Sequence, residues 1–383
     1  MNKRLWRFPA ARLSAVLMAA CVAHSAAAQP LTLRYGQDWS SAHSIYSLPI
    51  SVAQREGLFR REGLNVQVII PVPGGSDKMV FDGLNKGWID VTHIATPFLI
   101  RASLKGADAV AINAEFRSAI YSLVAKPNIK SYADLKGKLI GLADEQGTIT
   151  LSMRRLLAKH GLERGSFAVK TEEGTPQRFY CLLHSDCDAT VLGQPQDLQA
   201  LAQGYSLLGR SDEVVPDFLY TVTAARRSWA QAHREALVRY VRAMADAFRF
   251  IRDPANRSEV VAVIVATIGC SDAIAGQTLD LFNEPGRDVL PKRGEIDVKG
   301  LQQVIAMMAE AGLLKPPLPQ AARFIDLQYL QAAGAFSSDQ RARTQLTDCE
   351  YSCHRQAHPH CRVGKADWRA PRCGRLWPAI RRR

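Results

Sequence analysis

The residues of this chain best suited to handling a small molecule sit in short polar stretches that each follow an apolar run. They read Asp38-Trp39-Ser40-Ser41, Pro73-Gly74-Gly75-Ser76, Thr96-Pro97, Gly147-Thr148-Ile149-Thr150 and Gly193-Gln194. Each is small or hydroxyl-bearing, or offers backbone N–H groups at a helix start, where unpaired donors and the helix dipole favour an anionic group. Ser76, Thr148 and Thr150 read equally well as plain N-caps, and both readings stand. Trp39 adds a flat face for a ring or an ammonium group. Asp38, Asp77, Asp144 and Glu145 near the same stretches oppose a bare anion, although an acid beside a helix start also serves as a dipole partner.

Reactive constellations are missing. There is no G-x4-G-K-[ST] to cradle phosphates, no G-x-G-x-x-G after the first strand, and no H-E-x-x-H or G-x-S-x-G. His160 and His184 fall at helix ends, a structural position. His93 ends a strand whose next loop faces the expected cleft, and His43 shares a loop with Asp38 and Trp39, which makes it the best placed histidine for a ligand role. Binding therefore outweighs catalysis, and no cofactor or resident metal is expected.

Strands and helices must hold these stretches in place. Apolar alternation predicts strands over 31–36, 64–70, 89–93, 109–114, 138–142, 168–170, 189–192, 206–209 and 218–223. Helices are expected from 48 to 57, with Pro49 confined to the first turn, and over 75–86, from 97, and over 148–160, 176–183 and 195–203. A polar loop fills 37–44. Beyond residue 228 the pattern turns helical, over 229–251, 258–268, 272–282, 298–311 and 320–332. Such alternation is an α/β architecture with a parallel sheet covered on both faces. Ligands of open α/β sheets bind beyond the carboxyl ends of the strands, where the polar stretches lie.

The formal net charge of +13 belongs to the two ends. Residues 1–28 contribute +4 and residues 340–383 contribute +8, which leaves 13 − 4 − 8 = +1 for the body. A nearly neutral body gives no clustered basic face for nucleic acid. Residues 1–28 read as an export signal, with a basic start, an apolar run and Ala26-Ala27-Ala28 before the cut. A rival lipoprotein reading uses Cys21. Export places the body in an oxidising compartment, the periplasm, where Cys181 and Cys187 are spaced to close a small disulfide loop, while Cys270 reads as a buried apolar residue. Residues 340–383 read as a disordered basic tail. The set Cys349, Cys353, His354, His358, His360 and Cys361 matches no standard zinc spacing.

Four segments, VAQREGLFRREGLNVQVI, GGSDKMVFDGLNKGWIDV, IKSYADLKGKLIGL and CDATVLGQPQDLQALAQG, resemble in order and spacing the landmarks of the periplasmic solute-binding proteins of ABC importers. The most similar group serves nitrate, taurine, alkanesulfonate and thiamine-pyrimidine uptake. The resemblance runs from Leu31 to Ala333 and implies a two-lobed type II periplasmic-binding-protein fold, each lobe a mixed sheet flanked by helices, with two interlobe crossings. Lobe one is expected over 29–120, lobe two over 121–221, and the return with the C-terminal helices over 222–339. By position, the ligand contacts it implies are Trp39, Ser40, His43, Gly75, Ser76, Thr96, Thr148, Thr150 and Gln194. The implied partners are a small-molecule solute and an inner-membrane ABC permease, for a monomeric, non-enzymatic protein. The charges around the cleft suit a zwitterion or ring-bearing solute, taurine-like or pyrimidine-like, better than nitrate. An enzyme resembling the thiamine-pyrimidine synthases, or a sensory module on the same fold, is the alternative. Such a synthase implies a reactive histidine and a cysteine-rich iron-binding segment in the body, for which Cys181 and Cys187 are too few.

Overall fold

The computed structural model describes residues 30–72, 75–144, 146–215 and 218–335. The expected signal with Cys21, the tail with its Cys and His set, and Gly74 and Glu145 lie outside the described residues.

The first part of the chain alternates strand and helix. It runs β1 (Leu31–Gly36), α1 (Trp39–Ala42), α2 (Leu48–Arg55), α3 (Leu58–Arg61), β2 (Leu64–Ile69), α4 (Asp77–Asn85), β3 (Val91–Ala95), α5 (Thr96–Leu104) and β4 (Ala109–Phe116). A second alternation follows with β5 (Ser122–Ala125), β6 (Leu139–Leu142), α6 (Thr148–Lys159), β7 (Ala168–Thr171), α7 (Thr175–Leu183), β8 (Ala189–Leu192), α8 (Gln196–Ala202) and β9 (Ser206–Arg210). Strand β10 (Thr221–Arg226) leads into α9 (Arg227–Ala232), α10 (Arg234–Arg252), α11 (Arg257–Ile268), α12 (Asp272–Asn283), α13 (Val298–Glu310) and α14 (Gln328–Ala332). No single described helix is long and apolar enough to cross a membrane.

Two five-stranded sheets result, ordered β2-β1-β3-β10-β4 and β7-β6-β8-β5-β9. Both are mixed rather than wholly parallel. In each, the strand that follows a crossing between sheets, β5 or β10, runs antiparallel to both neighbours. The chain leaves the first sheet after Phe116 and is back in it by Thr221, which pairs with both Ala95 and Phe116.

Burial explains most of the architecture. Helix α10 buries Leu237, Tyr240, Val241, Met244, Phe248 and Ile251, an i, i+3, i+4 stripe that packs the helix onto the first lobe. Strand β4 is buried along its whole length although it edges its sheet, because the chain near Ile325 covers it. That cover breaks the helix expected over 320–332. Ile325 bridges Ala111, and Asp326 N–H donates to the Ala111 carbonyl at 2.9 Å, so only a 3-10 turn (Ala321–Phe324) and α14 remain helical. The helix expected over 229–251 is likewise split at His233, whose ring stacks on Trp229. The polar loop over 37–44 contains α1, capped by Asp38, whose Oδ1 accepts from Ser41 N–H at 3.0 Å. At the end of α7, Cys181 and Cys187 bring their Cα atoms to 5.5 Å with the sulfurs facing, buried in a small apolar cluster of the second lobe.

Candidate ligand-binding site

Between the two sheets lies a cavity of about 210 Å³, bounded where the strands of both end. Its first wall is Asp38, Trp39 and Ser40 after β1, Gly75, Ser76 and Asp77 after β2, and His93 in β3. Its second wall is Asp144, Gly147 and Thr148 after β6, and Glu173, Gly174, Thr175 and Arg178 after β7. Tyr121 and Tyr220, from the two crossings, close it on one side. The walls nearly touch, since a Cβ on Gly174 would lie 3.4 Å from Ser40 Oγ.

The first wall is acidic. The Trp39 N–H donates to the Gly75 carbonyl at 3.1 Å, which fixes the loops after β1 and β2 to each other. Asp38 is 8% exposed, and its Oδ2 has no hydrogen-bond partner among the described residues. Burial, with the Asp38 charge, pushes the Asp77 carboxyl from 3.8 up to about 7, while His93, the Ala95 N–H and Arg101 pull it down. His93 Nδ1 lies 2.6 Å from Glu115 Oε2, and Glu115 also accepts from Tyr35 Oη and from Thr223 Oγ1. Burial pulls the His93 pKa down, but Glu115, with Asp38 and Asp77, outweighs it and leaves His93 above its ordinary value. The acids therefore favour the imidazolium form more than water does.

The second wall carries a buried cation. Arg178 is 1% exposed, and its guanidinium donates to the Val191 carbonyl (2.6 Å), the Glu172 carbonyl (3.0 Å) and Thr175 Oγ1 (3.0 Å). These partners are neutral, and among the described residues Arg178 makes no ion pair. Burial pulls its pKa down, and the nearby Tyr121, Tyr220 and Tyr46 hydroxyls and Glu172 work the other way. A guanidinium stays charged in a protein, so this is a positive charge held beside an open space. The N-termini of α6 and α7 face the same space, and Thr148 Oγ1 and Thr221 Oγ1 are buried there without partners among the described residues. A ligand that supplies a cationic donor to Asp38 and an anionic acceptor to Arg178 would satisfy both walls.

Of the residues singled out in the sequence, Trp39, Ser40, Gly75, Ser76 and Thr148 line the cavity. The other four do not. His43 packs on the Trp39 ring at 4.0 Å, tilted, with its Nδ1 against the Trp39 carbonyl, so it supports the indole from outside the cavity lining. Thr96 is buried at the start of α5, with its N–H on the Tyr220 carbonyl. Thr150 Oγ1 donates to the Ala143 carbonyl at 3.1 Å, bracing the loop before α6. Gln194 is fully buried and donates to Asp197 Oδ2 at 2.8 Å. Sequence reasoning missed Arg178 and Glu115. The signal for Arg178 was its spacing, for it shares the buried face of α7 with Cys181 and Leu182 at i+3 and i+4. Glu115 is the one acid in the apolar run Ala109–Phe116. Among the described residues no group of three His, Cys, Asp or Glu could hold a metal ion.

Residues 44–265, more than half of the chain, match the NMT1-like family. The chain belongs to the NMT1-like family. This NMT1-like chain is 25% identical over 275 residues to the nitrate/nitrite binding protein NrtA of Nostoc sp. (strain PCC 7120), a match that covers 65% of the chain and only 59% of that relative. Its fold is that of the nitrate-binding protein NrtA of Synechocystis PCC 6803, with a TM-score of 0.67 at 16% identity over 81% of this chain and 90% of that one. The aliphatic sulphonate binding protein SsuA of Escherichia coli is also similar, with a TM-score of 0.61 at 20% identity over 78% and 92% of the two chains. The desulfurization enzyme DSZB shares the fold too, with a TM-score of 0.60 at 14% identity over 80% and 99%. The NMT1-like chain thus has the two-lobed periplasmic-binding-protein fold, each lobe a mixed sheet flanked by helices.

Proposed function

We propose that this protein is the extracytoplasmic solute-binding component of an ABC importer, which captures a small solute between its lobes and delivers it to a membrane permease. The observation that carries the reading is Arg178, a buried guanidinium that has no acidic partner among the described residues, set across an interlobe cavity from Asp38, whose Oδ2 likewise has no partner among them. Leaving either charge unpaired is costly, so a ligand that completes both is favoured over water. The preferred solute class is a small zwitterion such as an aminosulfonate of the taurine type, or an aminopyrimidine stacked on Trp39. A cavity of about 210 Å³ suits a molecule of this size. Closure would bury the ligand between lobes, and the permease would distinguish the closed from the open form.

Thermal-shift and calorimetric titration of the full chain with taurine, alkanesulfonates, aminopyrimidines, amino acids and nitrate tests this. A saturable upward shift with a zwitterion or aminopyrimidine is expected. Stabilisation by nitrate alone would overturn the solute class, and no closure in small-angle scattering with any of them would overturn the clamp. The enzymatic alternative would be favoured by stoichiometric iron surviving purification together with product formation. Cys181, Cys187 and Cys270 all lie away from the cavity lining, which supports binding over chemistry.

A further inference from the structure

Arg101 belongs to the last turn of α5, in the first lobe, yet its guanidinium works across the cleft. Long helical side chains lean toward the N-terminus of their helix. Here that direction is the cavity end, because α5 starts where β3 stops. Arg101 Nη1 donates to the Gln146 carbonyl, 2.9 Å away in the second lobe. Gln146 immediately precedes Gly147 and Thr148, both in the cavity wall. The same guanidinium lies in the field of Asp144 from the second lobe and Asp77 from the first, and it packs 5.6 Å from the Phe98 ring. It does not itself line the cavity.

Resting on the solute-clamp reading above, we propose that Arg101 is the positioning residue that locks the loop before α6 over the bound solute and so sets the rate of its release. Other contacts between the lobes do this less well. Arg287 pairs with Asp212 in the segment before β10, outside the cavity lining. The Tyr121–Tyr220 pair joins the crossings, where opening changes separations least. Arg155 and Glu310 pair on the exposed surface, where such pairs contribute little. Arg101 instead makes a charge-assisted bond to a backbone carbonyl next to Gly147 and Thr148, which moves with the second wall of the cavity. Its charge also offsets Asp77 and Asp144, so deleting it would by electrostatics alone strengthen the hold on a ligand cation. Faster release in spite of that gain separates a latch from a charge effect.

The test is stopped-flow release of taurine, or of whichever panel solute binds the wild type, read by fluorescence from Trp39 beside the ligand. Arg101→Met should raise the release rate about tenfold, the scale of one charge-assisted hydrogen bond, with the association rate and the melting temperature of the unliganded protein little changed. Arg101→Lys, which keeps a donor and the charge, should recover part of the retention. A wild-type release rate in Arg101→Met, with binding intact, would overturn the latch while leaving the solute-clamp reading in place. If no solute binds the wild type, that reading fails, and scattering alone then decides the latch. Arg101→Met should have a larger radius of gyration than wild type, and an equal one would overturn the latch.

Discussion

The hydroxyls of Tyr121 and Tyr220 lie 2.9 Å apart, one from each segment that carries the chain between the sheets. Tyr46 packs against both rings, at 5.9 Å and 5.2 Å between centroids, so the crossings share one aromatic junction at the side of the cavity. Replacing Tyr220 by Phe leaves the Tyr121 hydroxyl buried without this partner, and should lower the unfolding free energy by about 1–2 kcal/mol. Replacing both tyrosines removes donor and acceptor together, so the double variant should lose less than the sum of the single losses. Urea denaturation of the four proteins in the cycle checks this. Strict additivity would mean that the two hydroxyls are not coupled.

Arg178 should decide whether the acidic end of a solute is recognised. Arg178→Lys keeps the charge but cannot reach Val191, Glu172 and Thr175 together, because lysine lacks the planar fork. Affinity for a zwitterion should fall on the order of 100-fold, while affinity for the matching amine without its acidic group changes little. Calorimetry with the paired ligands reads the difference. Equal losses for both would place the anionic group elsewhere in the cavity.

Acidity within the first wall makes the protein sensitive to pH. The Asp77 carboxyl sits at about 7 in the folded protein against an ordinary 3.8, so between those values the folded state holds a proton that the unfolded state has shed. Stability from this group is therefore complete below 3.8 and lost as pH rises through about 7. A ligand cation favours the ionised carboxylate, so affinity should climb over the upper part of that window and binding should release a proton. Melting curves across the window for wild type and Asp77→Asn, with calorimetry in buffers of different ionisation enthalpy, check both signs. The variant should show a flatter stability profile and no pH-dependent gain in affinity.

The alternation of strand and helix, and the polar stretches at the strand ends, were legible because periodicity and N-cap residues are local signals. Much of what lay outside their reach was set by contacts distant in sequence, and the rest by side-chain choices that composition does not reveal. The antiparallel strands β5 and β10 depend on where the chain crosses between sheets, and the break at Ile325 depends on Ala111, far earlier in the chain. Thr150 and Thr148 look alike in sequence, both hydroxyl-bearing in one helix start, yet one turns to the Ala143 carbonyl and the other to the cavity. Gln194 lies just beyond the end of β8, a place that suits a ligand contact, but the buried Asp197 three residues on takes its amide. Arg178 and Glu115 were hidden for a related reason. Each is a charge on an otherwise buried face, and only the structure shows whether such a charge meets a cavity or a buried network.

Gly75 offers the most direct test of the first wall. Its N–H donates to the Val72 carbonyl at 2.8 Å, its carbonyl accepts from Trp39 N–H at 3.1 Å, and it lines the cavity. A Cβ added there would lie 2.7 Å from Pro71 Cβ and Cγ and 2.9 Å from the Val72 carbonyl oxygen, closer than such atoms can approach. The proline ring and a backbone carbonyl cannot rotate away as a flexible side chain could, so the turn itself has to open. Opening it moves the carbonyl that holds Trp39, and the indole face then shifts relative to Asp38. Gly75→Ala should therefore cost about 1–3 kcal/mol of stability, the scale of a strained close approach. It should also reduce the ligand-induced rise in melting temperature by more than that loss alone predicts, and Gly75→Val should abolish it. Retention of wild-type affinity in Gly75→Ala would show that the Trp39 loop is held by other contacts, and that the ligand sits against the second wall alone.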